Sequence, residues 1–122
     1  MDAEPKINKP ADPKNLTEGE KKHIPVISAP EAVAAGESFN VTVQVGRIPH
    51  VMEQKHYIEW IELYLNGKQI GRAELSPKDE KAEAVFKVEA EKTLAGTEGK
   101  LRALEHCNVH GFWEEFMEIK IK

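Results

Sequence analysis

The apolar positions of this chain recur with a period of two. In "ESFNVTVQVG", Phe39, Val41, Val43 and Val45 share one face, and Asn40, Thr42 and Gln44 share the other. That alternation marks a half-buried strand. "HYIEWIELYL" alternates too, with Tyr57, Glu59, Ile61 and Leu63 against Ile58, Trp60, Glu62 and Tyr64. Both of its faces carry apolar side chains, which predicts a central strand. "AEAVFKVEA" places Ala84, Phe86 and Val88 on one face and charged residues on the other. "HIPVIS", "KLRALEHC" and "WEEFMEIKIK" supply further β-rich runs. Asn66-Gly67 lies between two such runs and predicts a tight hairpin joining 56–65 to 69–75. "APEAVAAGE" is the one stretch that suggests a helix, but it is short and bracketed by proline and glycine, so it reads as a turn. Seven short strands with tight turns predict an all-β fold, an immunoglobulin-like β-sandwich, over residues 20–122. Residues 1–19, with their prolines and charges, read as a flexible N-terminal arm.

Length and composition narrow the function without naming it. A chain of 122 residues is one domain, long enough to bury a core without staples. No apolar run approaches the roughly 20 residues of a spanning helix, and the first residues lack the apolar stretch of a secretory signal. Both point away from a membrane. A single cysteine excludes an internal disulfide and suits a reducing compartment, so the expected location is cytoplasmic. The net charge of −4 argues against nucleic acid, which calls for a basic stripe.

The chemistry-bearing residues fall at the breaks in the pattern. His23 opens the first predicted strand, His50 ends the turn "GRIPH", and His56 opens the central strand. His110 follows Cys107 in "CNVHGFW". Loop ends of a sandwich gather at its poles, so four imidazoles and one thiol have a route to a common point. Nitrogen-rich ligation with one thiolate suits iron, zinc or copper. Structural zinc usually takes four ligands, and blue copper two histidines with one cysteine. Five donors fit neither pattern well. Set against this are the plainer roles of such residues: a lone cysteine as a small core hydrophobe, and strand-end histidines as surface groups. His106 keeps the plainer role, because alternation turns it away from Cys107.

Taken together, "KKHIPVI", "IPHVMEQKHYIEWIEL" and "CNVHGFW" resemble the superoxide reductases, the iron domain of neelaredoxin and desulfoferrodoxin. The likeness runs through residues 20–121, with the motifs in family order and spacing. It implies an immunoglobulin-like sandwich and one mononuclear iron. The imidazoles of His23, His50, His56 and His110 would hold that iron in a plane, with Cys107 axial. It implies one-electron reduction of superoxide to hydrogen peroxide, a rubredoxin-like electron donor and a homotetramer. The cysteines of a second iron domain are missing, so the likeness is to the one-iron type.

One motif departs from the family. The family glutamate stands two residues before the first histidine and its lysine one before. Here Lys22 keeps the lysine's place, Lys21 takes the glutamate's, and Glu20 lies one residue further back. Glu20, in what reads as a flexible loop behind Gly19, is the candidate for the sixth iron position. Glu53, in the loop between His50 and His56, is a second. Lys22, with Lys21 beside it, is expected to attract the anionic substrate. Met52 reads as a gap-filler or a flap over the metal, and Asn108 and Gly111 as shapers of the turn that presents Cys107. The alternative function is a non-enzymatic β-sandwich, a metal-binding or sulfur-carrier interaction module.

Overall fold

The structure, a computed structural model, describes residues 6–122. In chain order the elements are strand β1 (Ile7–Asn8), helix α1 (Glu18–His23), and strands β2 (Pro25–Ser28), β3 (Ala32–Val33), β4 (Ser38–Val45), β5 (Ile58–Leu65), β6 (Lys68–Glu74) and β7 (Glu83–Glu89). A 3-10 turn (Lys92–Leu94) then leads to β8 (Thr97–Cys107) and β9 (Gly111–Ile121). One sheet runs β1-β9-β8-β5-β6, with β3 added to β9; the other runs β2-β4-β7. All seven strands expected from the alternation are present.

The two sheets bury one apolar core between them. β4 contributes Val41, Val43 and Val45, and β5 contributes Ile61, Leu63 and Leu65. Phe86, Val88, Leu101, Ala103, Ile119 and Ile121 complete it. β5 pairs on both sides, with β6 and with β8, as its two covered faces required. Its other face carries Trp60, under the Arg72 guanidinium, and Tyr64, which donates to Glu62. A bulge between Ile58 and Trp60 breaks the alternation. Ile58 thereby turns into the core opposite Cys107. The hairpin at Asn66-Gly67 has positive φ at both residues, 52° and 83°, the conformation that a two-residue turn between twisted strands demands.

Three short elements were not expected. Residues 1–5 of the expected arm lie outside the described residues. After them, Ile7 and Asn8 pair in parallel with Phe112 and Trp113. β3 forms inside the stretch read as a turn, pairing Ala32 with Lys120 and Val33 with Ile121. The third is α1, where a flexible loop was expected around Glu20 and a strand start at His23. Its cause is local. Thr17 caps the helix through its side chain, which accepts from Glu20 N–H at 3.2 Å, and Glu20 Oε1 accepts from Thr17 N–H at 2.8 Å. This reciprocal capping box satisfies two otherwise free amides. Glu18 and Glu20 in the first turn, and Lys21, Lys22 and His23 in the last, suit the helix dipole.

Candidate metal centre

Four separate segments bring the donors to one pole. His23 ends α1 and is buried. His50 closes the turn after β4, His56 lies in the loop before β5, and Cys107 and His110 flank the β8–β9 turn. α1 reaches the pole because Gly46 lets it approach. A Cβ at Gly46 would stand 2.3 Å from the Lys21 carbonyl oxygen, so any side chain there displaces the helix that carries His23.

One ligand atom from each of His23, His50, His56, Cys107 and His110 lies within 4.8 Å of all the others. His23 Nε2 and His50 Nε2 are 3.1 Å apart, and Cys107 Sγ lies 3.6 Å from His50 Nε2 and 3.8 Å from His110 Nδ1. The imidazoles form a ring. Neighbouring centroids are 4.6 Å apart for His23–His50, 4.7 Å for His50–His56, 5.0 Å for His56–His110 and 4.7 Å for His110–His23. His23 and His56 stand across it at 6.4 Å, as the diagonal of a near-square requires. Cys107 is wholly buried behind this ring.

The donor set fits one transition-metal ion. Metal bonds of about 2.1 Å to nitrogen and 2.3 Å to sulfur span about 4.2–4.4 Å across an ion. His23 Nδ1–H donates to Gly19 O at 2.7 Å and His50 Nδ1–H to Val51 O at 2.6 Å, which fixes both tautomers and leaves each Nε2 lone pair free. His56 Nε2 is buried with no hydrogen-bond partner, an orphan acceptor that a cation would satisfy. Burial, followed by mutual repulsion among the imidazoles, pushes His23 and His50 below the ordinary histidine value, His50 to about 4. Burial does the same to His56. These three rings are therefore neutral at pH 7, with lone pairs available to a cation. Burial pushes the Cys107 thiol up, opposed by the backbone N–H groups of His110 and Val109. A bound cation would reverse that balance toward the thiolate.

In front of the ring lies a hollow of ≈ 510 Å³, lined by the four histidines and by Thr17, Gly19, Glu20, Lys22, Val51 and Trp113. Cys107 does not line it, so the thiol sits on the closed side and the hollow on the open one. Trp113 stacks on His23 at 5.2 Å and donates through Nε1 to His110 O.

The remaining candidates fall at different distances from the chemistry. Lys22 lines the hollow and pairs with Glu18 at 3.4 Å. Glu20 lines it as well, but its carboxylate is engaged elsewhere, accepting from Thr17 N–H and from Ala11 N–H, and the Thr17 amide holds it below the usual carboxylate range. Glu53 is exposed and bridges to His56 through backbone bonds. Met52 packs against the core, which favours the gap-filler over the flap. His106 is outside the cluster, bonded to Glu59 and stacked on Trp60. Asn8 was not anticipated: its amide donates to the carbonyls of His110 and Phe112, clasping the turn that holds His110. Gly111 between them has φ of 81°, a value open to glycine, and its Cα faces the Asn8 amide.

Fold and donors together define a β-sandwich with one candidate metal site of four imidazoles and one thiol. Residues 15–116 match the desulfoferrodoxin family, and the chain belongs to it. A relative in Methanocaldococcus jannaschii is 39% identical over 114 residues, 89% of this chain and 91% of its own. The superoxide reductase of Pyrococcus abyssi is 36% identical over 110 residues, covering 82% of this chain and 89% of that one. The solved superoxide reductase (neelaredoxin) of Ignicoccus hospitalis superposes with a TM-score of 0.72 at 37% identity, covering 82% of this chain and 81% of that one. Among the described residues no helix is long and apolar enough to cross a membrane.

Proposed function

We propose that this chain is a superoxide reductase, taking superoxide, one electron and two protons to hydrogen peroxide at a single iron. The observation that carries the reading is the set of five donors around one point, with the thiol on the buried side and an open hollow on the other. His23, His50, His56, His110 and Cys107 would hold the iron. When bound, iron would supply the one-electron chemistry, with a rubredoxin-like protein as the source of the electron. Around it, the His110 and Val109 amides temper the sulfur's donation, and solvent in the hollow delivers protons. Glu20 is the carboxylate at the rim of the hollow, positioned by its place in the cap. The reading extends to a homotetramer and a cytoplasmic location, in keeping with a lone cysteine.

The test is stoichiometric. Iron-loaded, pre-reduced protein given superoxide is expected to yield one peroxide per superoxide with no dioxygen, and to pass from pale to blue as the oxidised thiolate centre forms. Dioxygen released with the peroxide would mean dismutation; a protein that takes up zinc and never iron would support the interaction module instead.

Lys22 is the proposed point of attraction for the substrate anion. Its partner Glu18 is exposed, and an exposed i,i+4 pair of this kind is worth only about 0.3–0.5 kcal/mol, too little to hold the ammonium out of the hollow. Lys22→Ala is expected to lower the second-order rate constant several-fold to about tenfold. The deficit should shrink as salt is raised, because screening removes what the lysine supplied. Equal rates at low salt would remove Lys22 from the mechanism.

A further inference from the structure

We infer that Asn108 is a positioning residue for the metal centre and that it acts through His56. The inference rests on the metal-centre reading above. Three of the four imidazoles have their own means of orientation. His23 and His50 each donate Nδ1–H to a carbonyl, and His110 shares a tight turn with Cys107, its amide on the sulfur at 3.4 Å. The His56 ring has no such tether among the described residues, and its Nε2 is buried and unpartnered.

What is held is the His56 backbone. Asn108 Nδ2 donates to Lys55 O at 3.1 Å, and Asn108 Oδ1 accepts from Tyr57 N–H at 2.9 Å. Asn108 N–H donates to Tyr57 O at 3.2 Å. The Lys55 carbonyl belongs to the peptide plane before the His56 Cα, and the Tyr57 N–H to the plane after it. One carboxamide therefore grips both planes whose rotation sets φ and ψ of His56. Fixing those angles fixes the direction of its Cα–Cβ bond. On the far side the loop is closed by Glu53 and His56, which exchange backbone hydrogen bonds at 3.0 Å in both directions.

A turn-forming asparagine usually bonds its own backbone two residues on. This one spends both ends of its side chain on a different loop. Since Asn108 adjoins Cys107, the buried thiol and the His56 imidazole are joined into one body by the carboxamide.

The experiment is a double-mutant cycle read by cobalt(II) titration of metal-free protein, following thiolate and ligand-field absorption. The unmodified chain should bind cobalt. Asn108→Ala should weaken binding about 10–100-fold, the range for outer partners of metal ligands, and alter the ligand-field spectrum as His56 loosens. Asn108→Asp keeps the acceptor for Tyr57 N–H but turns a carboxylate oxygen against Lys55 O, releasing the peptide plane before His56, so it should also weaken binding; it carries the cycle should the alanine variant not fold. In a His56→Ala background, Asn108→Ala should add little, because the pair acts as a unit. Unchanged affinity in Asn108→Ala, or losses that simply add, would overturn the inference while leaving the metal centre standing. An unmodified chain that binds no cobalt would overturn both.

Discussion

Cys107→Ser is expected to remove the blue colour of the oxidised, iron-loaded protein and to slow superoxide reduction by more than about a hundredfold. The loss should exceed the roughly 10–100-fold that follows from removing an outer hydrogen-bond partner, because the donor itself goes. Serine differs by one atom, and the difference is chemical. A thiol is acidic enough for a cation at 2.3 Å to hold it ionised; an alcohol resists ionisation far more strongly, so the axial anion is lost. The colour arises from sulfur-to-metal charge transfer and has no oxygen counterpart in the visible. Cys107 is wholly buried and the His110 amide, 3.4 Å from the sulfur, can donate to a hydroxyl instead, so the fold should survive. Absorption spectra, stopped-flow rates and thermal unfolding of the same sample separate these effects. A serine variant that stayed blue and kept its rate would show that Cys107 is a core residue and no more.

How much of this was legible in the chain depended on whether the cause was periodic. β4 and β7 announce themselves because one face of each meets the core and the other meets water or charge, and β5 because apolar side chains recur on both of its faces. β1 and β3 are two residues long, and a pair of residues has no period. α1 has a different difficulty. Its sequence "EGEKKH" presents no apolar face, so the helical repeat is silent; its signal is the cap, Thr17 followed three residues later by Glu20. Reading that cap would have moved Glu20 from a loop with slack to a fixed first turn, and His23 from a strand to a helix end. The donors of the centre were found by spacing and by motif, since histidines at element ends stand where loops converge. The Asn108 carboxamide escaped because its partners, Lys55 and Tyr57, are 53 and 51 residues away. Asn8, 102 residues from His110, escaped in the same way.

A pH series on the metal-free protein should expose two buried groups that pull in opposite directions. His50 is depressed to about 4 by burial and by its neighbouring imidazoles. A histidine lowered in the fold contributes stability that is present above its unfolded value, near 6.5, and is lost as pH falls through its folded value. From pH 7 to pH 5, His50 alone should therefore cost about 2 kcal/mol. His23 and His56 are shifted the same way and add to the loss. Glu105 has the opposite sign. It is fully buried, both its oxygens lack partners, and burial raises it well above the ordinary carboxyl range. Its contribution is present in acid and is lost as pH rises, because at neutral pH the unfolded chain ionises it and the fold resists. Glu105→Met, similar in length and apolar, should stabilise the metal-free chain at pH 7 by about 1–3 kcal/mol, the usual penalty of an unsatisfied buried group. It should also uncover the full histidine slope, which the unmodified chain partly hides. Urea unfolding at pH 7, 6 and 5 measures both, and carboxylates with ordinary values stay ionised across most of that window. If Glu105→Met were no more stable at pH 7 and its midpoint did not fall toward pH 5, neither group would be held in the fold as its burial requires. Binding of the metal should steepen the slope, because imidazoles and a thiolate engaged by a cation carry no protons in the fold while the unfolded chain takes them up as pH falls.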